Sequence, residues 1–315
     1  MTAIHLAPLP ILDIPPTRPL FPRVVFGIDF GSASLAAARW ASQFVAQRAE
    51  AIVSHVASAD AALIAEDDVD QQASLRRLVP ALSGGLGGFA ATLDSTLVRT
   101  VVRIGRPSHW LSAIASGAEA SLIVLGRRSD ANRKTIGEPH VIERVARRAS
   151  CSVLVVPEGV TAAPQSILAA VDESSFATRV VSVARRLARL HEVPLTLLHV
   201  LSPSTGAFDR RTRRVGSVQR PVWVSPGDEP SAVSAQTSAW LDELARTPDS
   251  IAGERAEIAV GDAPREIISS GLASGAPLIV VGTRGADGAV PGSIGSVVRE
   301  LLARAPVPVL AVNCV

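Results

Sequence analysis

The feature that most constrains this chain is that it repeats itself. One apolar run ends at Asp29 and a second ends at Asp172, 143 residues later. His55 and His199 sit in the runs that follow, 144 residues apart. Gly105 and Gly261, Gly126 and Gly282, and Leu154 and Leu310 are each separated by 156 residues. The spacing changes only between the second and third runs, where residues 202–230 add chain to the second half. A repeat of roughly 150 residues describes two domains of ordinary size.

Within each repeat, short apolar runs alternate with segments of helical periodicity. Strands are expected at 23–28, 51–56, 97–104, 122–125 and 153–156, and again at 167–171, 195–200, 255–260, 278–281 and 307–312. Helices are expected at 32–49, 61–79, 107–118 and 141–149, then at 175–190, 231–245, 263–273 and 297–303. This alternation predicts an α/β fold: parallel sheets covered by helices on both faces. Residues 83–88, Ser-Gly-Gly-Leu-Gly-Gly, read as a loop. Ser83-Gly84-Gly85 matches a nucleotide-loop tripeptide in letters, but it does not follow the first strand, so a turn is the reading. Pro8, Pro10, Pro15, Pro16, Pro19 and Pro22 make residues 1–22 an extended or disordered leader, with packing against the domain through Ile11, Leu12 and Ile14 left open. The domains are expected at 23–158 and 164–315.

Composition excludes several functions. Aromatics are 3% and Tyr is absent, so stacking platforms for single-stranded nucleic acid are scarce. A net charge of +2 leaves no basic footprint for nucleic acid or a membrane surface. No uncharged apolar stretch reaches the ~18 residues of a membrane span. The start of the chain has no secretory signal, so a cytoplasmic location is expected. Cys151 and Cys314 lie in or beside apolar runs and read as packed thiols. Asp67, Asp68 and Asp70 precede a helical segment and read as helix-start carboxylates, not a metal site. Arg210, Arg211, Arg213, Arg214 and Arg220 read as a mobile, solvated basic loop ahead of the alternative, a dedicated phosphate or partner site.

The stretch that carries chemistry is 278–296, LIVVGTRGADGAVPGSIGS. A buried strand empties into a glycine loop that ends on a helix start. Gly282 and Gly285 are two residues apart, and nine residues separate Gly285 from the pair Gly295-Ser296. Glycines let the backbone approach an anion closely, and the helix start adds free N–H groups and a positive dipole end.

That spacing, G-x-x-G, nine residues, G-S, is similar to the nucleotide loop of ATP-binding universal stress proteins. The fragments AVDESS, LLHV, GDAP, IVVGTRG and GSVV in the second half, and GIDFGS, SHVA, GRPS and IVLGRR in the first, extend the resemblance over nearly the whole chain. It implies two tandem open five-stranded sheets of order 3-2-1-4-5, an adenine nucleotide alpha hydrolase-like fold. It also implies fifth strands that pair, here within one chain as an internal pseudo-dimer; further pairing of two chains stays open.

The resemblance implies a ligand, ATP, AMP or ADP, with or without magnesium. Asp172 would hold the ribose, with Ala170 and Val171 beside the adenine and the Val200 backbone against it. Gly282, Gly285, Gly295 and Ser296 would enclose the phosphates, with N–H groups from Val297 and Val298. Arg284 is either a counter-charge or a solvated loop residue, and Asp172 is either a ligand or a helix cap. His199 reads as a packed strand residue.

The first half departs from the pattern. Gly285 corresponds to Ser129, Gly295 to Pro139 and Ser296 to His140. Arg127, Arg128, Arg133 and Lys134 crowd the segment, with Glu138 beside them. The first half is therefore expected to have lost ATP binding and to serve as a dimerisation or regulatory partner, although its cations leave another anion open. The function expected is a nucleotide-binding sensor or regulator of stress response with a protein partner. The alternatives are a slow ATPase, a nucleotidyl- or phosphoryl-transfer enzyme, and a nucleotide-free scaffold.

Overall fold

The computed structural model describes residues 19–57, 80–93, 95–128, 141–201, 209–215, 218–224, 232–275, 278–284 and 294–313. The expected helix at 61–79, the acidic triplet before it, Cys314, most of the leader, and Ser129, Pro139 and His140 lie outside these residues.

The first half contains β1 (Arg23–Gly27), α1 (Ser32–Phe44), β2 (Ala49–Ala57), α2 (helical over 80–90), β3 (Ser95–Ile104), α3 (Pro107–Gly117), β4 (Leu122–Arg127), α4 (Val141–Arg148) and β5 (Ser152–Pro157). The second contains β6 (Ile167–Ala170), α5 (Ala177–His191), β7 (Leu195–Leu201), β8 (Asp209–Val215), β9 (Val218–Val224), α6 (Ala232–Ala245), β10 (Arg255–Val260), α7 (Ala263–Ala273), β11 (Leu278–Gly282), α8 (Ser296–Arg304) and β12 (Val309–Val312).

The strands form one ten-stranded sheet, ordered β10-β7-β6-β11-β12-β5-β4-β1-β2-β3. Each half has the order 3-2-1-4-5, with every neighbouring pair parallel. The halves join where β12 runs antiparallel to β5, with Leu310 opposite Leu154. The expected pairing of fifth strands is thus made inside the chain, and it merges two five-stranded sheets into one.

Successive residues on these strands face opposite layers. Val24 and Phe26, Leu122 and Val124, Leu154, Ile167, Val280 and Leu310 meet α1, α2, α5 and α6. Val25, Ile123, Val153, Val155, Leu168, Ile279 and Val309 meet α3, α4, α7 and α8. Both apolar layers run through both halves, so the inter-half boundary is core on each face. The halves also meet outside the sheet. The Trp40 indole N–H donates to the Ala162 carbonyl in the linker at 2.8 Å, and the His191 ring contacts the Phe44 carbonyl.

One charged residue lies deep in the second half. Arg185 on α5 is 2% exposed. Its guanidinium makes two bonds to Glu254, at 2.8 and 2.6 Å, another to Asp249 at 2.6 Å, and one to the Leu244 carbonyl at 2.9 Å. A buried charge is tolerated when it is paired and hydrogen-bonded in this way. The bidentate bond to Glu254 outweighs burial and raises the arginine's pKa further. The network ties α5 to the end of α6 and to the turn before β10.

Three expectations need correction. Residues 83–88 are helical, not a loop: Leu86 is fully buried and Phe89 and Ala90 nearly so, and that apolar stripe outweighs the glycines' poor propensity. The arginine-rich segment is an antiparallel ribbon, β8 paired with β9, lying beside β10. The end of the leader is part of the fold: Phe21 is buried, and the Pro22 carbonyl accepts the Glu50 N–H at 2.9 Å.

Candidate functional site

In an open parallel sheet, ligands bind beyond the carboxyl ends of the strands where the strand order reverses. In the second half that point lies between β6 and β11. A cavity of about 320 Å³ opens there, in the size range of small-ligand sites. Ala170, Val171 and Asp172 border it after β6, Val200 on β7, Gly282 and Arg284 after β11, and Gly295, Ser296, Val297 and Val298 at the start of α8. These are the residues singled out from sequence, except Gly285, which lies outside the described residues. His199 and Val281 of the flanking strands also line it, and spacing alone did not reveal the remaining wall: Ser174, Phe176, Ala177 and Val180 around the start of α5, Leu198 on β7, and Ala263 and Ile267 on α7. The available signal was their place in the repeat, on the second strand or just after the first and third strands.

Asp172 is set by its own turn. Its Oδ1 accepts from the Ser174 N–H at 3.2 Å and from the Ser174 hydroxyl at 2.5 Å. The helix that follows has Phe176 as its N-cap residue, with no side-chain cap bond, so Asp172 is not its cap. His199 is 8% exposed, and its Nδ1 lies 2.9 Å from the Val171 carbonyl. Its ring meets Trp240 edge-on at 5.5 Å. The histidine thus staples the ends of β6 and β7. His55 does the same in the first half, 2.7 Å from the Ile28 carbonyl.

The opposite wall is a helix start. Gly295 is the N-cap of α8, with φ −58° and ψ 149°, and no described side chain caps the helix. The amides of its first turn have no intrahelical acceptor. The Gly295 N–H donates to the Thr283 carbonyl at 3.1 Å, which holds this start against the end of β11. Arg284 forms no hydrogen bond or ion pair with the described residues. The cavity wall therefore combines apolar side chains from β6, β7 and α5, the carboxylate of Asp172, and positive groups at Arg284 and the start of α8.

The first half fills the same place with its own groups. A Cβ on Gly126, the counterpart of Gly282, would lie 2.3 Å from the Ala33 carbonyl oxygen and 2.5 Å from the Ser34 nitrogen. The first turn of α1 therefore rests directly on β4. Arg128, the counterpart of Arg284, bonds Asp29 at 2.8 Å. Asp29 also accepts from the Gly31 N–H at 2.9 Å and the Ser34 hydroxyl at 2.5 Å. Burial pushes this carboxyl up, but Ser34, Gly31 and Arg128 together hold it below its ordinary value. Phe30, at φ 60°, lies against the His55 ring with centroids 4.9 Å apart.

Among the described residues no three His, Cys, Asp or Glu side chains converge as a metal site, and no helix is long and apolar enough to cross a membrane.

The sequence matches the universal stress protein family over residues 21–157 and again over 164–313. The fold is similar to the crystal structure of a universal stress protein from Archaeoglobus fulgidus, with a TM-score of 0.60 and 16% identity over 94% of this chain and 97% of that one. It is also similar to a functionally unknown protein from Pseudomonas aeruginosa, with a TM-score of 0.53 and 15% identity over 93% of this chain and 92% of the other. No curated protein matches the sequence. Two family matches in series, on a chain whose halves repeat the same five-strand order, show that it belongs to the universal stress protein family and carries two of its domains in tandem.

Proposed function

We propose that the second half binds one adenine nucleotide, ATP, ADP or AMP, and that the chain acts as a sensor or regulator in a stress response. The observation that carries this is the pairing of an open cavity at the β6/β11 switch point with an uncapped helix start and an arginine free of described partners. Adenine would lie by Val171 and Val200, the ribose hydroxyls at Asp172, and the phosphates between Gly282, Arg284 and the first turn of α8. Gly285 would complete the phosphate loop. Hydrogen bonds to a charged phosphate are worth about 1.5–3 kcal/mol each, enough for a few N–H groups to order a glycine loop. Magnesium would enter on the nucleotide's own phosphates.

The first half supports the reading by contrast. Arg128 is engaged by Asp29, and α1 closes on Gly126. Binding would be confined to one half, and the other would serve as its structural and regulatory partner. His199 is held by the Val171 carbonyl, which favours a packing role over general base, so turnover would be slow at most.

Calorimetric titration with a non-hydrolysable ATP analogue, with mass identification of any copurifying nucleotide, tests this. The expected stoichiometry is near one per chain. Two equivalent sites, or no binding of any adenine nucleotide, overturns the proposal.

A further inference from the structure

The halves are linked at a point that the strand pairing does not account for. Arg127 ends β4 in the first half. Its guanidinium crosses the boundary and donates through Nη1 to the Ala303 carbonyl and through Nη2 to the Ala305 carbonyl. Ala303 lies in the last turn of α8, and Ala305 is its C-cap. The last carbonyls of a helix have no intrahelical donor and carry its partial negative charge, so a cation placed there satisfies both. The helix gripped in this way is the one whose first turn borders the cavity.

The counterpart of Arg127 in the second repeat is Thr283, 156 residues on. The Thr283 carbonyl accepts the Gly295 N–H at the other end of the same helix. One repeat position, taken from each half, therefore holds both ends of α8. Between them α8 has nine residues, about 13 Å of rigid helix. Its flank packs on α4 of the first half, where Val145 and Ala146 share a buried cluster with Val298, Leu301 and Leu302. The grip is one-sided. Threonine is short and uncharged, and cannot offer a guanidinium fork to the matching helix α4.

We infer that Arg127 is a positioning residue for the anionic end of the cavity: through it, the first half sets where the α8 amides stand and how strongly the second half holds phosphate. This rests on reading the cavity as a nucleotide site. The charge also opposes the negative end of the helix dipole, leaving its positive end to face the ligand.

The test uses the full chain with Arg127→Leu, Arg127→Gln and Arg127→Lys, titrated separately with the ATP analogue and with adenosine, which has no phosphate. Displacing a helix terminus changes charge interactions enough for about a five- to tenfold loss. Arg127→Leu and Arg127→Gln are expected to weaken the ATP analogue by that factor while adenosine stays within about twofold. Arg127→Lys, which keeps the charge, is expected to recover most of the loss. A purely structural role would weaken both ligands alike. If Arg127→Leu does not fold, Arg127→Gln carries the test. Equal losses for the two ligands, or no loss for the ATP analogue, overturns the role of Arg127. A wild-type chain that binds neither ligand removes the nucleotide reading itself and this inference with it.

Discussion

Gly295 offers a way to separate the stability of the site helix from its capacity to hold an anion. Its backbone, at φ −58° and ψ 149°, is open to any L-residue. Among the described residues, a Cβ built there would meet only the Thr283 carbonyl oxygen and Val298 Cγ1, both at 3.8 Å. Gly295→Ala and Gly295→Asp should therefore both fold. Aspartate is a good N-cap, and its carboxylate would accept from the amides of Val297 and Val298, adding a few tenths of a kcal/mol relative to glycine. Those are the amides proposed to face phosphate. The new carboxylate would also place a like charge beside it. Two like unit charges about 4 Å apart repel by about 1 kcal/mol in water and about 4 kcal/mol at the effective dielectric of a protein surface. For a half-buried position the cost lies between, about 2–3 kcal/mol, or roughly 30- to 150-fold in Kd. Thermal unfolding should show Gly295→Asp at least as stable as wild type, while calorimetry with the ATP analogue shows that loss. Gly295→Ala should bind within about threefold of wild type, because it adds volume where there is room and no charge. An unchanged Kd in Gly295→Asp would refute the placement of phosphate at α8. Equal losses in both variants would refute the electrostatic reasoning and point to a need for bare backbone.

Two further predictions concern the fold. Leu310 is fully buried between β11 and β5, so Leu310→Pro removes a ladder donor from a central strand and should cost about 3 kcal/mol or more; halves split near Ala162 and coexpressed should copurify as wild type and dissociate with the proline, and halves that are soluble but never associate would count against the internal pairing as a stable interface. Gly87 has open space around it among the described residues, within a helix, so Gly87→Ala should raise stability by about 0.5–1 kcal/mol; Gly126→Ala, which drives a methyl into the backbone at Ala33, should lower it by several-fold more, and similar melting temperatures for the two variants would contradict the close packing of α1 on β4.

Much of the architecture was legible because the strands announce themselves. Runs such as Leu278–Val281 and Val153–Val156 are apolar at every position, as strands buried on both faces must be, and the repeat spacing, 143–144 residues for the first two strands and 156 for the last three, matched each strand to its counterpart. The same logic failed where local chemistry and tertiary context disagree. Four glycines in six residues suggest a turn, yet Leu86 and Phe89 at helical spacing were the signal that mattered, because burial in the same apolar layer as β1, β2 and α1 decides that segment. The β8–β9 ribbon escaped because arginines at consecutive positions hide the alternation by which strands are recognised. At the site, the loop glycines, Asp172 and Arg284 were readable from spacing, whereas Phe176, Val180 and Ile267 were not, since an apolar wall has no distinctive letter. The reach of Arg127 to Ala303 is a contact across more than half the chain, and nothing local foretells it.

Pairing β5 with β12 inside a single chain also changes what a mutation can do. In a dimer of identical subunits every substitution appears twice, and an isologous interface must accept both copies. Here position 127 can be arginine while its counterpart, 283, remains threonine, and Gly126 can be closed over while Gly282 borders an open cavity. The short linker holds the halves at an effective concentration on the order of millimolar, so their pairing does not depend on how much protein the cell makes. One half is thereby free to lose a function without losing its neighbour, and the two can diverge into a part that carries the ligand and a part that sets its terms.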